Sequence, residues 1–166
     1  MFSNLCLVVA LTLGAPGDAK EKSADGKIPA NCSACVKTCT DAQVACEQCF
    51  FSCKQMMKTY AKEEGTKEVG SKQANPKGQL SATEMKEHGL AMETCLGCAD
   101  ACKLASSLIG RGSPVAPHAG ECCRKCCADT ATACEKFPDN QAMVDCAIAC
   151  RACEKACVAM MAKKVD

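Results

Sequence analysis

Tryptophan is absent from this 166-residue chain, and tyrosine occurs once, at Tyr60. Phenylalanine adds only four aromatic rings. Lys and Arg number 20 against 19 Asp and Glu, for a net charge of +1, and neither sign gathers into a block. Single-stranded nucleic acid is held by aromatic platforms and duplexes by a basic face. The chain offers neither, so nucleic-acid binding is excluded. No apolar run is long enough to cross a bilayer. Leu, Ile, Val and Phe are sparse for a globular core, and no segment alternates in the two-residue rhythm of a strand. There is no C-x-x-C-H for covalent haem and no C-x-C run of the metallothionein kind. No nucleophile–base pair or open catalytic metal site is identifiable, so catalytic turnover is not expected.

What the chain has instead is sulfur: nineteen Cys and eight Met. The spacing C-x-x-C-x-x-x-C occurs as Cys32-Cys35-Cys39, Cys46-Cys49-Cys53, Cys95-Cys98-Cys102 and Cys150-Cys153-Cys157. Steps of three and four place such residues on one stripe of an α-helix. Cys146 continues the last stripe backwards. Its C-x3-C-x2-C match to the radical-enzyme spacing is a by-product of the heptad, because that motif needs a loop in a large barrel.

The N-terminus reads as an export signal. Leu5 to Leu13 is apolar apart from Thr12, and Gly17 and Ala19 suit a cleavage site before Lys20. The expected division is a signal over 1–19, a polar linker over 20–30 and one metal-binding domain over 31–166. Cys6 falls inside the signal, which leaves eighteen of the nineteen Cys in the mature chain. Export puts the protein in the periplasm or outside the cell; without cleavage of a true signal it is cytosolic.

Four helices are predicted. The first starts at an Asn31 cap and runs to about Tyr60. A lysine- and glycine-rich loop follows, and Ser81-Ala82-Thr83-Glu84 forms a capping box that opens a second helix ending near Gly110. The third runs from about Pro117 to Phe137. The fourth is capped by Asp139 or Asn140 and extends to about Lys163. Short connections make this an all-α, antiparallel up-down-up-down four-helix bundle with a cysteine-lined core. On the third helix Cys123, Cys127 and Cys134 share a face, while Cys122 and Cys126 sit to one side.

Metal chemistry follows from charge and geometry. Structural zinc takes four ligands, so one or two sites use only four to eight thiols. Stacked tetrathiolate zinc sites also accumulate buried negative charge. Cu(I) is soft and monovalent and prefers thiolate and thioether ligands. One Cu(I) per thiolate leaves a neutral core, and the empty core is a set of thiols that behave as small hydrophobes. Multiple Cu(I) ions are therefore the expected cargo. The alternative is a disulfide-stapled structural or interaction protein of the envelope, since an even Cys count in an exported chain commonly signals disulfides. An iron–sulfur or thiol-redox protein is a third class.

Cys122-Cys123-Arg124-Lys125-Cys126-Cys127, Ala133-Cys134-Glu135-Lys136-Phe137-Pro138 and the run from Asp145 to Cys157 resemble the four-helix-bundle copper storage proteins of bacteria. The resemblance covers about Asn31 to Lys163. It implies inward Cys that bind many Cu(I) ions, with exported and cytosolic forms and tetramers among the members. The long loop before Ser81 and the adjacent pair Cys122-Cys123 depart from the pattern.

Antiparallel tracing brings Met56 and Met57 to the same end as Met85, His88, Met92 and Met143. Thioethers and imidazole hold Cu(I) more weakly than thiolates, so this end is read as a copper mouth, with His88, Met92 and Met143 as added ligands. The competing reading is that each Met fills a gap in the core. His118, in the Pro-rich approach to the third helix, is expected to be solvated.

Overall fold

The computed structural model describes residues 29–65, with side chains through 59, and residues 81–162. The expected signal lies outside the described residues, as do the linker before residue 29 and the lysine-rich loop after residue 65. Four helices make up the described chain: α1 over Ala30–Gly65, α2 over Ala82–Gly110, α3 over Ala116–Cys134 and α4 over Gln141–Ala162. No strand occurs among the described residues.

Local chemistry sets most helix ends. At α2, Glu84 N–H donates to Ser81 Oγ at 3.2 Å and Ser81 N–H donates to Glu84 Oε2 at 2.7 Å, the expected capping box. Its other end closes with Ser113 N–H on Leu108 O and Gly112 N–H on Ile109 O. This Schellman turn needs a left-handed residue, and Gly112 supplies it at φ 63°. Asn140 caps α4, its Oδ1 accepting from Met143 N–H at 3.3 Å, which decides between the two expected caps.

Three ends differ from expectation, the first being the C-terminal end of α1, at Gly65 rather than about Tyr60. α1 begins at Ala30, and Pro29 O accepts from Ser33 N–H at 2.9 Å, so Pro29 holds the cap position and Asn31 lies inside the first turn. α3 stops at Cys134 rather than Phe137. Pro138 disfavours helical backbone at the residue before it. Phe137 N–H bonds back to Cys134 O in a tighter turn, and the Phe137 ring packs on His88 with centroids 3.9 Å apart.

Each helix packs against the next, and α4 closes the ring on α1. Sulfur contacts show the directions. Cys35 meets Cys157 while Cys46 meets Cys146, so α1 and α4 are antiparallel. Cys95 meets Cys134 while Cys102 meets Cys123, so α2 and α3 are antiparallel. This is the predicted bundle. Its core is Cys with Ala42, Ala91, Ala105 and Ala131 between, and larger apolar residues only near the ends: Leu108, Ile109 and Met160 at one, Met143 at the other. Small seam residues let helix axes approach closely. Outside, Arg151 ties α4 to α3 through Glu135 at 2.9 Å, and it also reaches Thr132 and Glu154.

Candidate metal centre

The stripes of the four helices meet along the bundle axis as a column of sulfur. Five groups of buried cysteines have all their Sγ atoms within 4.8 Å of one another. In order along the axis they are Cys39–Cys123–Cys153–Cys157, Cys102–Cys123–Cys127–Cys153, Cys98–Cys127–Cys150, Cys46–Cys146–Cys150 and Cys49–Cys95–Cys134–Cys146. Consecutive groups share members. The first two share Cys123 and Cys153, and the later junctions are Cys127, Cys150 and Cys146. The column is therefore unbroken. From Cys35 to Cys53 on α1 it spans about 27 Å at the helical rise.

Cys35 and Cys53 are buried and extend the column at its two ends; Cys35 Sγ lies 3.5 Å from Cys157 Sγ. Cys32 is half-buried beyond Cys35. It lines a cavity of about 590 Å³ with Ile109, Met160 and Met161 at the α1 N-terminal end. Cys126 is half-buried and Cys122 exposed, and neither belongs to a group. Each precedes a column residue, and one helical step turns a side chain by about 100°. Their place outside the column agrees with the spacing, which put both to one side of the α3 seam.

All eighteen described cysteines are free thiols. The packing singles out no disulfide pairing: Cys98 Sγ lies 3.6 Å from Cys127, 3.9 Å from Cys102 and 3.9 Å from Cys150. Within the column each thiol can donate to or accept from its neighbours. Hydrogen bonds to its neighbours, Cys127 first, draw Cys150 down. Bonds to Cys102 and Cys123, with burial, push Cys127 up. Burial, then the neighbouring Cys122, pushes Cys126 up to about 11. Each S–H···S contact is a proton that a soft cation displaces to gain two sulfurs at once.

At the α1 C-terminal side, His88 is 3 % exposed and Met143 fully buried, while Met92 is half-buried against the core. Met56, Met57 and Met85 are half-buried. The His88 ring packs on Phe137 at an interplanar tilt of 33°, and its Nδ1 is buried with no hydrogen-bond partner among the described residues. Burial holds its imidazole below the ordinary value, so it is neutral and able to ligate a metal. An orphaned buried nitrogen is costly unless something occupies it. His118 is exposed, as expected.

Sequence reasoning missed two features. Thr130 is buried between Cys127 and Cys134 and donates from Oγ1 to Thr94 O at 3.1 Å. The three-then-four step on α3 marks that position as seam. The His88–Phe137 stack had no sequence signal, because it joins α2 to the turn between α3 and α4.

The fold and the column define a class: a helical container for soft metal ions rather than a catalyst. The chain belongs to the copper storage protein family, whose model matches residues 27–162. Comparison with curated proteins and with solved structures finds no match. The family's role is copper storage and not catalysis. No described helix is long and apolar enough to cross a membrane.

Proposed function

We propose that the protein stores many Cu(I) ions on the thiolates of this column. The observation that carries the reading is the sharing of Cys123, Cys153, Cys127, Cys150 and Cys146 between neighbouring groups. Cu(I) accepts two or three soft ligands, so bridging thiolates let ions sit close together along the axis. Each Cu⁺ replaces one proton, and the filled core stays near neutrality.

His88, Met92 and Met143 are the ligands of a mouth at one end. The unpartnered Nδ1 of His88 supports this role. Weak imidazole and thioether ligands pass ions towards stronger thiolates. Residues 1–19 act as an export signal, and the domain over 31–166 works in the periplasm or outside the cell, protecting it from copper, supplying cuproenzymes, or both. Homo-oligomerisation, which the sequence resemblance implies, would cover exposed apolar side chains such as Phe51, Leu90, Leu104 and Ile148.

The test is an anaerobic titration of the reduced protein with Cu(I) against a coloured Cu(I) chelator. The expected result is saturation at many ions per chain. Saturation at one or two, or failure to compete with the chelator, ends the storage reading. A count of free thiols in the isolated protein, denatured without reductant, separates the disulfide alternative, which requires a count near zero.

A further inference from the structure

Cys122 and Cys126 take no part in the column, yet they are not isolated from it. Cys122 is exposed, and Cys126 is half-buried and packs against the core. Four residues apart on α3, their Cβ atoms are about 5–6 Å apart. A metal between two thiolates, with bonds of about 2.3 Å, needs sulfurs about 4.6 Å apart. Side chains four residues apart on a helix stand next to one another on its surface, which is the arrangement such a span needs. Cys126 also stands three residues after Cys123 of the column, and positions three and four apart are neighbours on a helix surface. The helix spacing thus gives a path from solvent to the column through Cys122, Cys126 and Cys123.

We propose that Cys122 and Cys126 form a two-thiolate Cu(I) site on the flank of α3, a lateral port through which carriers in solution exchange ions with the middle of the column. The inference rests on the Cu(I) storage reading above. In the loading step Cu⁺ displaces one proton from each thiol and gives an S–Cu–S unit of charge −1. The Cys123 thiol then attacks the ion, Cu–S bonding to Cys122 breaks, and the Cys123 proton ends on the Cys122 sulfur. Copper remains Cu(I) throughout, so no oxidant or reductant enters. The direction inward follows from ligand number: two sulfurs at the flank, three or four in each column group. The carrier this site fits presents Cu(I) on a bulky soft-ligand complex that cannot follow the ion into the bundle.

The experiment compares the reduced full-length protein with the double variant Cys122→Ser/Cys126→Ser, using the bis-bicinchoninate Cu(I) complex as donor under anaerobic conditions. The expected outcome is a several-fold slower initial transfer and a capacity lower by one ion. On the wild-type protein, iodoacetamide alkylates Cys122 when metal is absent, and copper saturation protects it. An unchanged transfer rate in the variant, or equal alkylation of Cys122 with and without copper, overturns the port. The alkylation arm needs no variant and stands if the double variant folds poorly. Saturation of the wild type at one or two ions would instead be failure of the storage reading. Many ions bound with Cys122 still reactive would sink the flank site alone.

Discussion

Replacing Cys150 by Ala separates a Cu(I) column from a set of tetrahedral sites. Cys150 is fully buried and belongs to both three-sulfur groups, Cys98–Cys127–Cys150 and Cys46–Cys146–Cys150. A metal that requires four thiolates can use only the three four-sulfur groups. Two of these share Cys123 and Cys153 and cannot be filled together. A tetrahedral divalent ion therefore finds at most two sites at once, and none of them contains Cys150. For such an ion, Cys150→Ala leaves capacity unchanged. For Cu(I), each group that contained Cys150 keeps two sulfurs, enough for a two-coordinate ion, so capacity falls by one and no group is lost.

Removing one buried sulfur costs about 1 kcal/mol, in the range of a small core truncation. That lowers Tm by roughly 2–4 °C in a chain of this size, so the metal-free variant stays folded. Native mass spectrometry after anaerobic loading counts the ions directly, with zinc and Cu(I) run side by side. A zinc count of about two that ignores the substitution, beside a much larger Cu(I) count that drops by one, is the expected pair of results. A Cu(I) count that also ignores Cys150→Ala, or falls to zero with it, refutes the column as the unit of binding.

Thr130→Cys adds a thiol between the groups that contain Cys127 and Cys134 and should raise Cu(I) capacity by one in the same assay. The triple variant His88→Ala/Met92→Leu/Met143→Leu should slow stopped-flow copper uptake with little loss of capacity, since the Met-to-Leu changes conserve volume and cost under about 1.5 kcal/mol each; unchanged kinetics would remove the mouth. The metal-free protein should lose stability on acidification. His88 is held below its ordinary value by burial, so the unfolded chain binds a proton from about pH 6.5 downward that the folded chain refuses, and the penalty grows until the folded value is reached. Urea denaturation at pH 7.5 and pH 5.5 reads this as a lower midpoint at pH 5.5, and His88→Phe should reduce the difference.

The bundle was legible because its seam is written in one residue type. Cysteine at three-and-four spacing fixes which face of each helix is buried, and the structure buries Cys39, Cys98, Cys127 and Cys153 accordingly. The capping box at Ser81 was readable for the same local reason. The helix ends at Ala30 and Cys134 were not, because they depend on which backbone carbonyl takes the next bond. Periodicity also does not say which side chains cross between elements. The stack of Phe137 on His88 and the bond from Thr130 to Thr94 O are tertiary events with no spacing to announce them. Cys122 was legible as lying to one side of the α3 seam, and its one-residue offset from Cys123 carries it to the surface.

A storage protein must be stable both empty and full, and this core meets that demand through charge rather than through rigidity. Empty, the buried sulfurs are neutral thiols that pack as small hydrophobes and satisfy one another: Cys102 Sγ lies 3.5 Å from Cys123 and 3.6 Å from Cys127. Filled with Cu(I), one positive ion stands for each proton lost, so the number of buried net charges does not grow with load. A divalent ion on four thiolates would bury two negative charges per site, and each further site would face the field of the last. The same balance explains why leucine is nearly missing from the middle of the bundle. Any apolar residue there would replace a ligand without improving a packing that the thiols already provide, whereas at the end where Leu108 and Ile109 are buried, apolar bulk takes the place of thiols.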